Sequence, residues 1–301
     1  AGHAMDLPDV YEFDGRRRDV EAFLGETDTS ALLVLQDSRV RYERYELTGG
    51  PSVPWISMSA AKSFISALVG IAHAEGSIAD LDGPISAYIG TEVGSAYDGV
   101  PIRDVLQMSS GARWNEDYSD PDSDIFRLTA ASFGVGSFDE FIATAVRESV
   151  PGTVCRYNSA DTQALATLLT HATGRSVAAY MTDKLIEPLG MTSPSQWLVD
   201  GTGREAAYFG LNMTARVFAR LGELYRNGGM WRGRQLVPAD YVAASTQVTA
   251  PHTRPGRVWV SDHEWQVGYG YQWWLPEVDP GEFSAIGIYN QFVYVHPQAR
   301  T

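Results

Sequence analysis

Apolar positions along this chain follow a strand-like pattern near both ends and a helical one in between. Residues 31–36 form an aliphatic run ending in Gln36, the composition of a buried strand. Asp37-Ser38 interrupts it. Residues 40–47 then alternate, Val40, Tyr42 and Tyr45 against Arg41, Arg44 and Glu46, with a slip of phase near Glu43. Two such runs around a short polar pair predict an antiparallel hairpin. Residues 57–75 keep a helical pattern up to Gly76. Shorter helices are predicted over 101–108, opened by Pro101, over 138–148, and over 159–172, with Ser159 as N-cap and Gly174 beyond the end. Residues 176–186 and 211–227 complete the helical set, the last ended by Gly228-Gly229. β character returns in the aromatic stretch 269–275 and in a strand over 286–295.

Strands first and last around a helical middle predict an α/β (α+β) fold. Residues 1–78 and 205–301 would build an antiparallel sheet domain flanked by helices. Residues 79–204 would form a mostly helical inserted domain, with the active site at the interface. A length of 301 residues, 44% apolar, with 8 Trp and 15 Tyr, is that of a globular chain with a large core. No apolar run approaches the ~18 residues of a membrane span. The net charge of −14 argues against nucleic-acid partners. The one basic run, Arg16-Arg17-Arg18, lies beside Asp14, Asp19 and Glu21 and reads as solvated surface. Cys155 is the single cysteine, so an internal disulfide is impossible. Ala1 to Met5 reads as foreign leader sequence, and no signal peptide is visible, a weak lean towards the cytoplasm. Arg300-Thr301 falls in what reads as a hairpin turn with no partner strand after it, which leaves open whether a C-terminal strand and helix follow.

Lysine usage changes the picture. Of 23 basic residues only Lys62 and Lys184 are lysines. Arginine holds its proton in proteins, whereas a buried lysine can release one. Lys62 ends the string Ser59-Ala60-Ala61-Lys62 at the start of the 57–75 helix. Residues i and i+3 share a helix face, so the amine reaches the hydroxyl. Apolar neighbours, the helix N-terminus and a partner favouring the neutral amine would each lower the lysine pKa, making it a base for the serine. The string alone is common: with 24 serines and 2 lysines it arises by chance in roughly one such chain in six. A phenol at a helix entrance, Tyr157-Asn158-Ser159, adds a proton relay. A glycine at a strand opening, in Ser284-Ala285-Ile286-Gly287-Ile288, adds a close backbone approach.

In this order the three elements resemble those of the penicillin-recognising serine hydrolases of the β-lactamase-like superfamily. That group includes class C β-lactamases, D-alanyl-D-alanine carboxypeptidases, esterases and 6-aminohexanoate-dimer hydrolases. Met58 to Phe64, Met108-Ser109-Ser110-Gly111, Pro151-Gly152-Thr153 through Leu165, and Glu187-Pro188-Leu189-Gly190-Met191 extend the resemblance over residues 30–297. It implies a β-lactamase/transpeptidase-like fold and a catalytic set of Ser59, Lys62 and Tyr157, with Ser59 and Ile288 amides as oxyanion donors. The string Trp114-Asn115-Glu116-Asp117-Tyr118 is similar to a substrate loop of the 6-aminohexanoate-dimer hydrolase branch, which implies Tyr118 as a substrate contact. Gly210-Leu211-Asn212 resembles a site-lining helix start, making Asn212 a further candidate, with Gly287 a third.

One departure matters. The β-lactamases and carboxypeptidases carry Lys-Thr-Gly where this chain has Ala285-Ile286-Gly287. The cation for a substrate carboxylate is absent, which favours a small ester or amide substrate. β-Lactamase or carboxypeptidase activity, acyl transfer and a non-catalytic binding protein are the alternatives. No Gly-x-Ser-x-Gly elbow exists, the six histidines are scattered, and no metal or cofactor is expected. Cys155 reads as a small buried core residue.

Overall fold

The structure, a computed structural model, describes residues 8–276 and 281–301; the leader-like Ala1 to Met5 stretch lies outside the described residues. The predicted first hairpin forms, Ala31–Gln36 against Arg39–Tyr45. Asp37 and Ser38 both take positive φ, 53° and 62°, the two-residue turn whose twist suits a hairpin. The register shifts at Val34/Leu35, where Arg41 is an extra residue opposite them. The bulge falls between Val40 and Tyr42, before the slip read near Glu43; from Tyr42 to Tyr45 the pairing is regular. The basic run lies in the exposed strand Arg16–Asp19, paired with Val10–Phe13.

Two helices form the centre of the molecule. Ala61–Ala74 is buried from Ala61 to Ala72, and Ser159–Thr173 is buried from Ser159 to Leu169. They pack on one another. A helix buried on nearly all sides shows little amphipathic contrast, and most of the buried residues here are small or aliphatic, with Lys62, Phe64, Asp161 and Gln163 among the exceptions. Both helices begin at the same place, and that convergence positions the site. One continuous core runs from Ala60 through the middle helices to Val295.

Several predicted helices are shorter than their patterns. Phe138–Ala143 stops where Thr144 Oγ1 bonds back to the Glu140 carbonyl, and Val177–Met181 passes into a wider π turn, Thr182–Ile186. Two expectations are overturned. Leu211–Met213 is a strand between Trp55–Ile56 and Gln196–Trp197, and the helix begins only at Ala215. Asn212 is therefore a strand residue opposite Ile56 and Gln196, with neither a helix-start nor a capping role. The run 286–295 is also no single strand. Phe283–Gly287 and Gln291–Val295 pair with each other, and Tyr289 and Asn290, both at positive φ, turn the chain. Gly287 closes its strand; it does not open one. These two strands join Trp274–Pro276 and Val267–Tyr269 in an antiparallel sheet.

The first hairpin and this C-terminal sheet are not hydrogen-bonded to each other. The Ala215–Arg226 helix packs against both. Between them opens a cleft of about 840 Å³, lined among others by Leu33, Leu35, Phe218, Val293 and Val295. Ser59, Lys62 and Tyr157 do not line it. No helix among the described residues is long and apolar enough to cross a membrane.

Candidate active site

Ser59 lies in a 3-10 turn, Met58–Ala60, that runs into the Ala61–Ala74 helix. Met58 takes φ 45°, a left-handed conformation that costs a non-glycine residue about 1–2 kcal/mol. The Phe283–Gly287 strand packs directly on this turn. A Cβ at Gly287 would lie 2.6 Å from the Ser57 carbonyl oxygen, 2.9 Å from Met58 Cβ and 3.0 Å from the Ser59 nitrogen. Only glycine lets the strand come so close, and the approach sets the Gly287–Ile288 backbone beside the Ser59 amide.

Lys62 is 1% exposed, and its Nζ donates to Ser59 Oγ at 2.9 Å, Ser159 Oγ at 3.1 Å and the Tyr208 carbonyl at 2.9 Å. Three acceptors match the three protons of an ammonium. Burial nevertheless lowers the lysine pKa from 10.5 to about 8, with the charge of Glu116 acting in the opposite direction. The sequence suggested a partner that would help depress it. The partner present is a carboxylate, so that expectation is corrected: desolvation alone does the lowering.

Tyr157 follows the short strand Cys155–Arg156, which pairs in parallel with Val258–Val260. Its amide donates to the Trp259 carbonyl at 2.7 Å, and its ring stacks 5.0 Å from that of Trp274. Lys62 Nζ lies 5.0 Å from the Tyr157 ring centroid. Burial and the Glu116 charge push the phenol pKa well up, against a hydrogen bond with Ser59. The phenol therefore keeps its proton near neutral pH, while Lys62 is within reach of losing its own. An amine that exchanges a proton with a serine hydroxyl, beside a phenol that can pass one on, is the equipment of acyl transfer.

The loop 114–118 enters this cluster through a residue absent from the predicted set. Glu116 is 2% exposed and accepts from the Trp114 indole, from Ser159 Oγ at 2.7 Å and Ser159 N at 3.2 Å, and from Tyr118 OH at 2.9 Å. Ser159 thereby differs from its expected role. Asn158 is the N-cap, bonding Ala160 N at 2.8 Å, and the Ser159 hydroxyl bridges Lys62 and Glu116. Sequence reasoning singled out the 114–118 string for Tyr118 alone. Its only other signal was an acidic residue between two aromatics, and the Tyr208 carbonyl had no signal at all. Tyr118 is 42% exposed at the rim, edge-on to Phe126. Asn212 Nδ2 donates to the Gly210 carbonyl at 3.2 Å.

Cys155 stands apart from this chemistry. It is buried, its thiol bonds the Gln107 carbonyl at 3.3 Å, and burial pushes its pKa well up, so it is no nucleophile at neutral pH. Asp161, two residues into the helix from Ser159, accepts from Tyr97 OH at 2.8 Å and Ser110 Oγ at 2.6 Å.

The chain is similar to known proteins over nearly its whole length. The Beta-lactamase family model matches residues 17–301. A 6-aminohexanoate-dimer hydrolase of Paenarthrobacter ureafaciens is 30% identical over 291 residues, covering 94% of this chain and 73% of the relative. A solved structure from Bacillus anthracis, assigned as a 6-aminohexanoate-dimer hydrolase, superimposes with a TM-score of 0.85 at 25% identity, over 100% of this chain and 80% of that one. EstCE1, a hydrolase with promiscuous acyltransferase activity, shares the fold with a TM-score of 0.74 at 14% identity, over 93% and 89% of the two chains. A family match over nearly the whole length, on a fold of helices and antiparallel sheets, makes this chain a member of the beta-lactamase family of hydrolases.

Proposed function

We propose that this chain is a serine hydrolase that cleaves an ester or amide bond of a small substrate through an acyl-enzyme on Ser59. The observation that carries the reading is a fully buried lysine amine 2.9 Å from a serine hydroxyl, with its proton affinity lowered to about 8. In its neutral form Lys62 takes the Ser59 proton as Oγ attacks the substrate carbonyl carbon. The developing oxyanion is held by the amides of Ser59 and Ile288, brought together by the close approach of Gly287. The proton passes from Lys62 through Tyr157 to the leaving oxygen or nitrogen, and the bond to the carbonyl breaks. Water, deprotonated by the same pair, then releases the acid and restores Ser59. Tyr118 at the rim would contact the substrate; Asn212 is a weaker candidate for the same role.

Ala285, Ile286 and Gly287 offer no cation to a substrate carboxylate. The reading therefore favours esters and simple amides over β-lactams. The test is labelling by a fluorophosphonate probe and turnover of p-nitrophenyl butyrate and nitrocefin. Labelling and ester turnover are expected in the wild type and lost in Ser59→Ala, with nitrocefin turned over at least about 100-fold less well, in line with a missing charge-assisted contact. Equal labelling of the Ser59→Ala protein would remove the nucleophile assignment.

A further inference from the structure

Glu116 has no part in the proton transfers just described, yet it is buried and ligated like a functional group. A carboxylate has about four acceptor positions. At Glu116 all are engaged, by the Trp114 indole, the Ser159 amide, the Ser159 hydroxyl and the Tyr118 phenol. Such a full donor set belongs to an ionised carboxylate. One hydroxyl separates it from the lysine: Ser159 Oγ accepts from Lys62 and donates to Glu116. A charge held one bridge away from a buried base acts on that base with little screening.

We propose that Glu116 is a positioning residue of this site, which through Ser159 holds the Lys62 amine against Ser59 and sets how readily it gives up its proton. The inference rests on the hydrolase reading above for its catalytic meaning, though its physical content does not. Without Glu116, burial alone would leave Lys62 neutral over a wider pH range, and the Ser159 hydroxyl would lose the acceptor that turns its lone pairs towards the amine. With it, the amine is fixed by three oriented acceptors.

The other titratable groups facing this pair are few. Tyr157 and Tyr208 turn ring faces to Lys62, and Tyr118 bonds Glu116. Burial raises the pKa of all three phenols, so none changes charge near neutrality. The thiol of Cys155 and the phenol of Tyr269 are raised in the same way. Burial pushes Asp161 up to about 7, and its hydrogen bonds are with Tyr97 and Ser110.

The scarcity of lysine makes a direct measurement practical. Protein labelled with ¹³C at lysine Cε gives two resonances, one from Lys62 and one from Lys184, and Lys184→Arg assigns them. Glu116→Gln should lower the Lys62 titration midpoint by about one pH unit, a tenfold loss of proton affinity. The acid limb of the fluorophosphonate labelling rate should move down with it. Glu116→Asp keeps the charge and should keep the wild-type midpoint, with slower labelling on the plateau. An amide at 116 sets donor against donor and lowers the melting temperature. If the Gln variant does not fold, Ser159→Ala removes the bridge and should lower the midpoint by a smaller amount. A Lys62 midpoint unmoved in Glu116→Gln, or unmoved in Ser159→Ala, overturns the proposal even if both variants are slow. Absence of ester turnover in every protein, with the midpoint still moving, refutes the hydrolase reading and leaves this one standing.

Discussion

The approach of Gly287 to the Ser57-Met58-Ser59 turn is the tightest constraint at the site, and replacing it by alanine tests whether that approach matters. A methyl there would meet the Ser57 carbonyl oxygen at 2.6 Å, Met58 Cβ at 2.9 Å and the Ser59 nitrogen at 3.0 Å. Ordinary contact begins at 3.4 Å, so the strand and the turn must part by about 0.8 Å at the tightest point. Neither side yields cheaply, since two of the three contacts are backbone and Met58 is already held at positive φ. Gly287 itself is not at positive φ, so the cost is steric and not conformational. Overpacking of this kind costs about 1–3 kcal/mol, or roughly 2–8 °C in Tm. The larger effect should fall on rate. An oxyanion pocket widened by most of an ångström should lose about 100-fold in kcat/KM. Fluorophosphonate labelling and p-nitrophenyl butyrate turnover measure the rate, and a melting curve the stability. Gly201→Ala, where a Cβ meets nothing within 4 Å, is the control and should change neither. If Gly287→Ala matches wild type in both rate and Tm, the strand does not define the site as argued.

Four further outcomes follow from the buried groups. With Lys62 near 8, kcat/KM should fall tenfold per unit below that pH and level off above it, and a limb centred near 10 would contradict the burial argument. Because the folded lysine binds its proton less tightly than the unfolded one, the unfolded state holds more protons between about 8 and 10.5; this group's contribution to stability therefore improves as pH rises through that window, which urea unfolding at pH 8 and 10 can follow. Burial raises Asp161 to about 7, so its contribution runs the other way and is lost as pH rises from 3.8 to 7; Asp161→Asn should cost less than about 1 kcal/mol at pH 8, and a loss above about 2 would show that the carboxylate is needed charged. Cys155 should resist iodoacetamide in the native protein and react in urea, with Cys155→Ser labelling normally at Ser59; rapid native alkylation would refute its burial.

What could be read from the sequence was local chemistry, and what could not was long-range packing. Ser59 and Lys62 were legible because one helical turn fixes their distance, whatever the rest of the chain does. Tyr157 stood out only through the family resemblance, since a phenol before a helix is most often a packing residue; the structure sets its ring centroid 5.0 Å from the Lys62 amine. The hairpin over 31–45 was legible because alternation and a two-residue polar turn agree. Asn212 was misplaced because Leu211-Asn212-Met213 continues smoothly into an amphipathic helix, and only pairing with Ile56 and Gln196, distant in sequence, makes it a strand. The run 286–295 hid a turn because Tyr289 is a common strand residue held in a left-handed conformation; Asn290, which tolerates positive φ and favours turns, was the one local signal. Glu116 escaped for a third reason: nothing in a sequence says that an acid lies 43 residues from its partner and one hydroxyl from a buried amine.

That last miss bears on how a lysine can serve as a base in this fold. Burying an ammonium is costly, and desolvation alone would drive its pKa far down. A lysine that is neutral at all working pH values has little left to gain by taking a proton from serine. One that is fully charged cannot take it. The structure places Lys62 between these limits by opposing two effects of known sign: removal from water, which is the larger, and the carboxylate of Glu116, which partly offsets it. Charged, the amine donates to Ser59, Ser159 and the Tyr208 carbonyl; neutral, it keeps the bonds to Ser159 and Tyr208 and accepts from the Ser59 hydroxyl, so its position is the same in both states. On this account the burial of Lys62 and the presence of Glu116 are a matched pair. Changing either alone should move the working pH of the site in a direction fixed in advance, downward when the carboxylate is removed and upward when water is let in beside the amine.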